Sequence, residues 1–165
     1  MSKILAFDQS TKISAHSIFI EGKYVECGLI DLHKMKDTNE RVRAMGVELC
    51  KIITKYNPDK VVMEEVAQQS NALTLKLLAR IQGIIIGFCA AHNIETYIIE
   101  PSKWRSVLQF KQGSGVKRQE LKSQSIEYVK NTYHLDLSED ECESLCINEA
   151  AHKIYGFTEA DLWGE

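Results

Sequence analysis

The chain is predicted to fold as an α/β domain in which a mixed five-stranded sheet, its first three strands antiparallel, is flanked by helices. Three observations carry that expectation. Short apolar runs at 4–7, 61–63 and 97–99 have the length and continuity of buried strands. Helical apolar periodicity over 42–53 and 73–88 alternates with the later runs, as in units that build parallel strands. The first run is instead followed by two strand-like segments and no helix, which is the pattern of an antiparallel meander.

The first strand is Ile4-Leu5-Ala6-Phe7, closed by Asp8 and a polar turn, Gln9-Ser10-Thr11-Lys12. Residues 13–20 form the second strand, and Glu21-Gly22-Lys23 is a tight hairpin connection into the third, 24–30. Asp37-Thr38-Asn39-Glu40 supplies helix-start chemistry, with Val42, Met45, Val47, Leu49, Ile52 and Ile53 behind it and a stop at Asn57-Pro58. Lys60-Val61-Val62-Met63 is a fourth, parallel strand that also ends in acids, Glu64 and Glu65. From Asn71 to about His92 runs a long helix whose wide apolar face marks it as the central buried helix. A fifth strand covers 95–100, and Pro101-Ser102 opens a helix around Trp104. Glycine-rich residues 109–116 form a loop; 117–133 resume as a helix with Leu121, Ile126 and Val129 inward. Ser138 and Glu141, three apart, form a capping box for a last helix carrying Leu145, Ile147, Ala150, Ala151 and Ile154. The tail from Phe157 has no distinct pattern.

Size and composition narrow the class. At 165 residues, 44% hydrophobic and 26% charged, one domain spanning 1–165 is expected, with enough core to fold unstapled. No uninterrupted apolar run is long enough to span a bilayer, and the N-terminus lacks a signal-peptide core, so a cytoplasmic, non-membrane protein is expected. The five cysteines read as reduced core thiols; Cys142 and Cys146 have no second pair or nearby histidine to complete a zinc site. The five histidines are dispersed without ligand spacing, and no phosphate-cradling glycine loop occurs. Net charge is −3, yet residues 103–130 hold seven basic side chains against two acids, a local excess of five positive charges. Such a segment suits a phosphate backbone.

The acids are the other uneven feature. Asp8 and Glu64 each sit where an apolar strand leaves the core, although a single acid after a strand also serves as a turn starter or helix cap. Strand alternation places Glu64 on the face of Val62 and turns Glu65 to the other side. Asp140 and Glu143, three apart on the last helix, project from nearly the same side. Acids there also complement the helix dipole, but Glu143 directly precedes the buried-type run Ser144-Leu145-Cys146-Ile147. Carboxylates gathered at one edge repel unless a hard divalent cation takes their oxygens, and two such ions can drive phosphodiester hydrolysis.

Three segments, in this order, resemble the RuvC family of Holliday-junction resolvases, its phage-type members in particular, within the RNase H-like nuclease superfamily. They are Ile4-Leu5-Ala6-Phe7-Asp8-Gln9-Ser10; Val62-Met63-Glu64-Glu65-Val66 ahead of a helix with Ala79-Arg80-Ile81-Gln82-Gly83; and Asp140-Glu141-Cys142-Glu143-Ser144-Leu145. The resemblance implies an RNase H-like fold and a metal-dependent endonuclease, a homodimer, that cuts four-way or other branched DNA by paired nicks. It implies Asp8, Glu64, Asp140 and Glu143 as catalytic metal ligands, for two Mg2+ or Mn2+ ions. It further implies Lys103 and Lys117, with Lys111, Arg118 and Lys122, as DNA-backbone contacts, and a bacterial host cytoplasm as the place of action for a phage-encoded member. Glu143 departs from the family's usual aspartate, and 66–71 lack the aromatic wedge of some cellular relatives. A broader branched or flap nuclease, a non-cleaving junction-binding scaffold and an actin-like sugar kinase fragment are the rival readings.

Overall fold

The computed structural model describes residues 1–67 and 71–157. Gln68–Ser70, within the stretch read as lacking a wedge, and the tail beyond Phe157 lie outside the described residues. Five strands form one sheet: β1 (Lys3–Asp8), β2 (Ile13–Ile20), β3 (Lys23–Asp31), β4 (Lys60–Glu64) and β5 (Glu95–Ile99). Their order is β3-β2-β1-β4-β5, with β1, β2 and β3 antiparallel and β4 and β5 parallel to β1. The mixed sheet is the one expected. The β2–β3 hairpin closes on Glu21 and Gly22, both at positive φ, a twist that matches the strands it joins.

The helices are α1 (Thr38–Tyr56), α2 (Ala72–Ala91), α3 (Pro101–Val107), α4 (Arg118–Tyr133) and α5 (Glu139–Tyr155). Their starts follow local chemistry. The Asp37 side chain accepts from the Glu40 backbone N–H, that of Asn71 from Leu73 and Thr74, and Ser138 and Glu141 close the capping box.

Alternation along β1 and β4 divides the core. Ile4, Ala6 and Val62 pack with Trp104, Leu145 and Ile147 on the α3–α4–α5 side, while Leu5, Phe7, Val61 and Met63 pack with Met45, Leu49, Ile81 and Ile85 on the α1–α2 side. The central helix is α5, not α2 as the apolar count suggested. Nine residues of α5 are buried, among them Cys142, Ser144, Cys146, Ala150 and Ala151, small side chains that let it lie close on the sheet. Only Leu77, Ile81, Ile85 and Cys89 of α2 are buried, one stripe at four-residue spacing, while Leu73 is 59% exposed. By length and composition α2 is apolar enough to cross a bilayer, which the short uninterrupted runs did not reveal. Two further inward assignments fail: Ile126 and Val47 are exposed, because Ser125 and Val129 carry the buried face of α4, and Val42, Met45, Leu49 and Ile53 that of α1. The cysteines are free thiols, with Cys89, Cys142 and Cys146 buried.

A buried amide pins α5 to the sheet. The Asn148 Nδ2 group donates to the Ile4 carbonyl (3.1 Å), the Ser17 carbonyl (3.1 Å) and Ser17 Oγ (3.2 Å). Asn148→Ala removes three buried hydrogen bonds between α5 and the sheet and is expected to cost about 1–3 kcal/mol in urea unfolding. A loss below about 0.5 kcal/mol would show that the amide is not a structural tie.

Candidate active site

Two strand ends and the faces of four helices, α2, α3, α4 and α5, meet at one cleft. Because β1 and β4 are parallel and paired as far as Phe7 with Met63, Asp8 and Glu64 leave the same edge side by side. Both continue the face of Ala6 and Val62, the side covered by α5. The same parity sends Glu65 the other way. Its carboxylate accepts from the Val66 backbone N–H (2.8 Å) and Gln82 Nε2 (3.3 Å), on the α2 side.

From α5, Asp140 and Glu143 reach into the cleft one turn apart. Carboxylate oxygens of Asp8, Asp140 and Glu143 lie within 4.8 Å of one another. Glu64 lines the same cleft, of about 590 Å³, and its Oε2 accepts the Trp104 indole N–H at 2.6 Å. The Glu64 backbone carbonyl accepts from Gln9 Nε2 at 2.6 Å. All four expected acids thus line one cleft, but the group within 4.8 Å holds Asp8, Asp140 and Glu143 and not Glu64. Asn148 and Glu149 are not part of the set: Asn148 ties α5 to β1 and β2, and Glu149 accepts from Tyr133 and pairs with Lys153.

Crowding shows in the electrostatics. Burial, then the charges of Glu143, Glu64 and Asp140, push the Asp8 carboxyl well above the ordinary carboxylate range. Burial also raises Glu64, although the Trp104 hydrogen bond and the Arg105 and Arg118 charges oppose it. The donor set, carboxylate oxygens only, fits a hard divalent cation rather than zinc or copper.

Helical periodicity sorts the basic residues. Arg105 lines the cleft four residues after Pro101 on α3, and Arg118, Leu121 and Lys122 line it from one face of α4. Lys122 forms an ion pair with Glu139. Lys103, Lys111 and Lys117 are exposed and do not line the cleft; Lys103 is two residues from Arg105 and so on another side of α3. Arg105, and Lys12 from the β1–β2 turn, are cleft residues that sequence reasoning missed. The sequence held no signal for the first, because the side of α3 that faces the cleft is set by packing.

A family model described as Lactococcus phage M3 protein matches residues 1–159. The crossover junction endodeoxyribonuclease RuvC of Alkaliphilus oremlandii is 33% identical over 136 residues, 80% of this chain and 79% of that protein. The enzyme of the same name from Alkaliphilus metalliredigens is 26% identical over 151 residues, 87% and 88% of the two chains. Among solved structures, T. thermophilus RuvC in complex with Holliday junction substrate superposes with a TM-score of 0.72 at 11% identity, covering 99% of this chain and 97% of that one. The yeast mitochondrial Holliday junction resolvase Ydc2 gives 0.63 at 14% identity, over 94% and 80%. The fold is that of the RuvC-type, RNase H-like resolvases. The chain belongs to the phage protein family named above and, with its curated relatives, to the RuvC family of crossover junction endodeoxyribonucleases.

Proposed function

We propose that this chain is a structure-selective DNA endonuclease that resolves four-way junctions by paired nicks. The observation that carries this is the convergence of four carboxylates in one cleft rimmed by Arg105, Arg118 and Lys122. One nuclease domain occupies the whole chain. Asp8, Glu64, Asp140 and Glu143 would hold two magnesium or manganese ions, which supply Lewis-acid activation of a water and stabilisation of the leaving oxygen. The residues' own work is positional. Strands β1 and β4 present two acids from rigid ends, α5 presents two more from a buried helix, and Gln9 fixes the Glu64 backbone. Arg105, Arg118 and Lys122 hold the phosphate against the acids, while exposed Lys103, Lys111 and Lys117 meet the backbone farther out. The proposed place of action is the cytoplasm, that of the bacterial host for a phage-encoded chain.

Synthetic four-way, three-way, flap and linear duplex DNAs offered with magnesium, manganese or EDTA test this reading. Symmetric paired nicks in the four-way substrate, absent in EDTA, are expected. Tight junction binding with no nicking in either metal would leave a scaffold, and equal cutting of flaps a broader nuclease. Binding is also expected to weaken with salt by about 0.9 log unit per log unit for each phosphate neutralised. A flat response would remove the basic residues from the backbone.

Two equivalent cuts call for a two-fold assembly. The outward apolar side of α2, with exposed Leu73 near its start and Ile84 beside Val47 of α1 farther along, is the surface for it. Light scattering on the free protein is expected to give twice the 18.8 kDa chain mass; a monomer at micromolar concentration would sink the dimer.

A further inference from the structure

We infer that Trp104 is a positioning residue for Glu64: its indole N–H holds Oε2 of that carboxylate and leaves Oε1 as the oxygen directed to a cation. The inference rests on the reading of Glu64 as a metal ligand.

Trp104 is wholly buried, and its indole has one polar atom, a donor. A buried donor is normally satisfied, most simply by a backbone carbonyl. This one instead spends its hydrogen on a carboxylate that lines the cleft, across 40 residues of sequence and at 2.6 Å. The donor itself is held in place. Phe110 meets the indole edge-on at 5.7 Å, and the Arg105 guanidinium lies 4.9 Å from the ring centre. The Glu64 backbone is held separately by Gln9 and by strand pairing to β5. What those contacts leave free in Glu64 is its side chain, and the indole restricts it by holding Oε2. A glutamate fixed in this way loses less entropy when it meets a cation, and it offers one oxygen in a defined direction. Outer partners that orient a ligating group in this manner typically account for 10–100-fold in metal affinity.

The test is a double-mutant cycle read on Mn2+ affinity, followed by the resonance of free Mn2+, with circular dichroism as a control for folding. Trp104→Phe keeps an aromatic ring and removes the donor. It is expected to weaken Mn2+ binding about tenfold, and junction nicking should recover when Mn2+ is raised. Glu64→Gln is expected to weaken Mn2+ at least as much. In the Glu64→Gln background, Trp104→Phe should add less than twofold, because the group through which Trp104 acts is gone. The same factor in both backgrounds, or an unchanged affinity in Trp104→Phe alone, overturns the inference while leaving Glu64 as a ligand. An unchanged affinity in Glu64→Gln removes Glu64 from the cation and the inference with it. Should Trp104→Phe unfold, benzothienylalanine at position 104, which keeps the fused ring and replaces N–H by sulfur, is carried through the same cycle.

Discussion

Asp8→Asn is expected to lower junction nicking by about a thousandfold or more while junction binding stays within a few-fold of the unsubstituted protein. Asp8 feels the charges of all three other acids, Glu143, Glu64 and Asp140, and one of its oxygens lies within 4.8 Å of a carboxylate oxygen of Asp140 and of Glu143. If these acids hold the cation as proposed, removing its charge would take away the carboxylate on which the charges of the other three converge. Lewis-acid stabilisation of a transition state amounts to several kcal/mol, and each 1.36 kcal/mol is tenfold in rate, so a thousandfold loss corresponds to about 4 kcal/mol. Asparagine is nearly isosteric and the basic rim is untouched, so binding persists. Single-turnover nicking of a labelled four-way junction, alongside a mobility-shift titration in calcium, separates the two effects. Undiminished nicking would remove Asp8 from the site, and parallel loss of binding would mean that the substitution acts on the fold.

The same residues show how far the sequence alone carried. Alternation along β4 could be counted from the chain, and it placed Glu64 with Val62 and turned Glu65 away; that Asp8 shares this face, and that α5 covers it, came from the fold. The i, i+3 spacing of Asp140 and Glu143 similarly needed only the helix period. Helix starts at Asp37, Asn71 and Ser138 were legible because their chemistry is local to three or four residues. What escaped was set by packing between distant elements. The contact of Trp104 with Glu64 depends on where α3 lies against the end of β4, which no spacing within either segment encodes. The basic segment was legible as a composition, but the choice of Arg105 over Lys103 required knowing which side of α3 faces the cleft. The rank of the helices was inverted for a related reason. Apolar richness made α2 look central, whereas burial went to α5, whose small side chains allow close approach to the sheet.

In metal-free buffer at pH 8, Asp8→Asn is expected to melt several degrees above the unsubstituted protein. The Asp8 carboxyl is raised above its ordinary value by burial and by three like charges. Between the unfolded and folded values the native state therefore binds more protons than the unfolded chain, and stability falls as pH rises through that window. The contribution is fully present below the ordinary carboxylate range and is lost once pH passes the raised folded value. Glu64, raised in the same direction, adds to the slope. Buried His16 and His152 act oppositely in mildly acidic solution, since burial lowers both and the unfolded chain takes up their protons first. The difference between the two proteins, rather than either melting curve alone, cancels the histidines. Asparagine removes the buried charge and can still hydrogen-bond to Glu143, so the gap should be widest at pH 8 and close toward pH 4. For a chain of this size each 1 kcal/mol of relieved repulsion corresponds to roughly 2–4 °C. Millimolar magnesium or manganese should reverse the order at pH 8, because a cation that binds the native acids stabilises by mass action and the asparagine protein binds it less well. Calorimetry at pH 4, 6 and 8, with EDTA or with metal, reads all of this. A gap that does not change with pH, or an asparagine protein that melts lower in EDTA at pH 8, would mean that the four acids do not strain the cation-free fold.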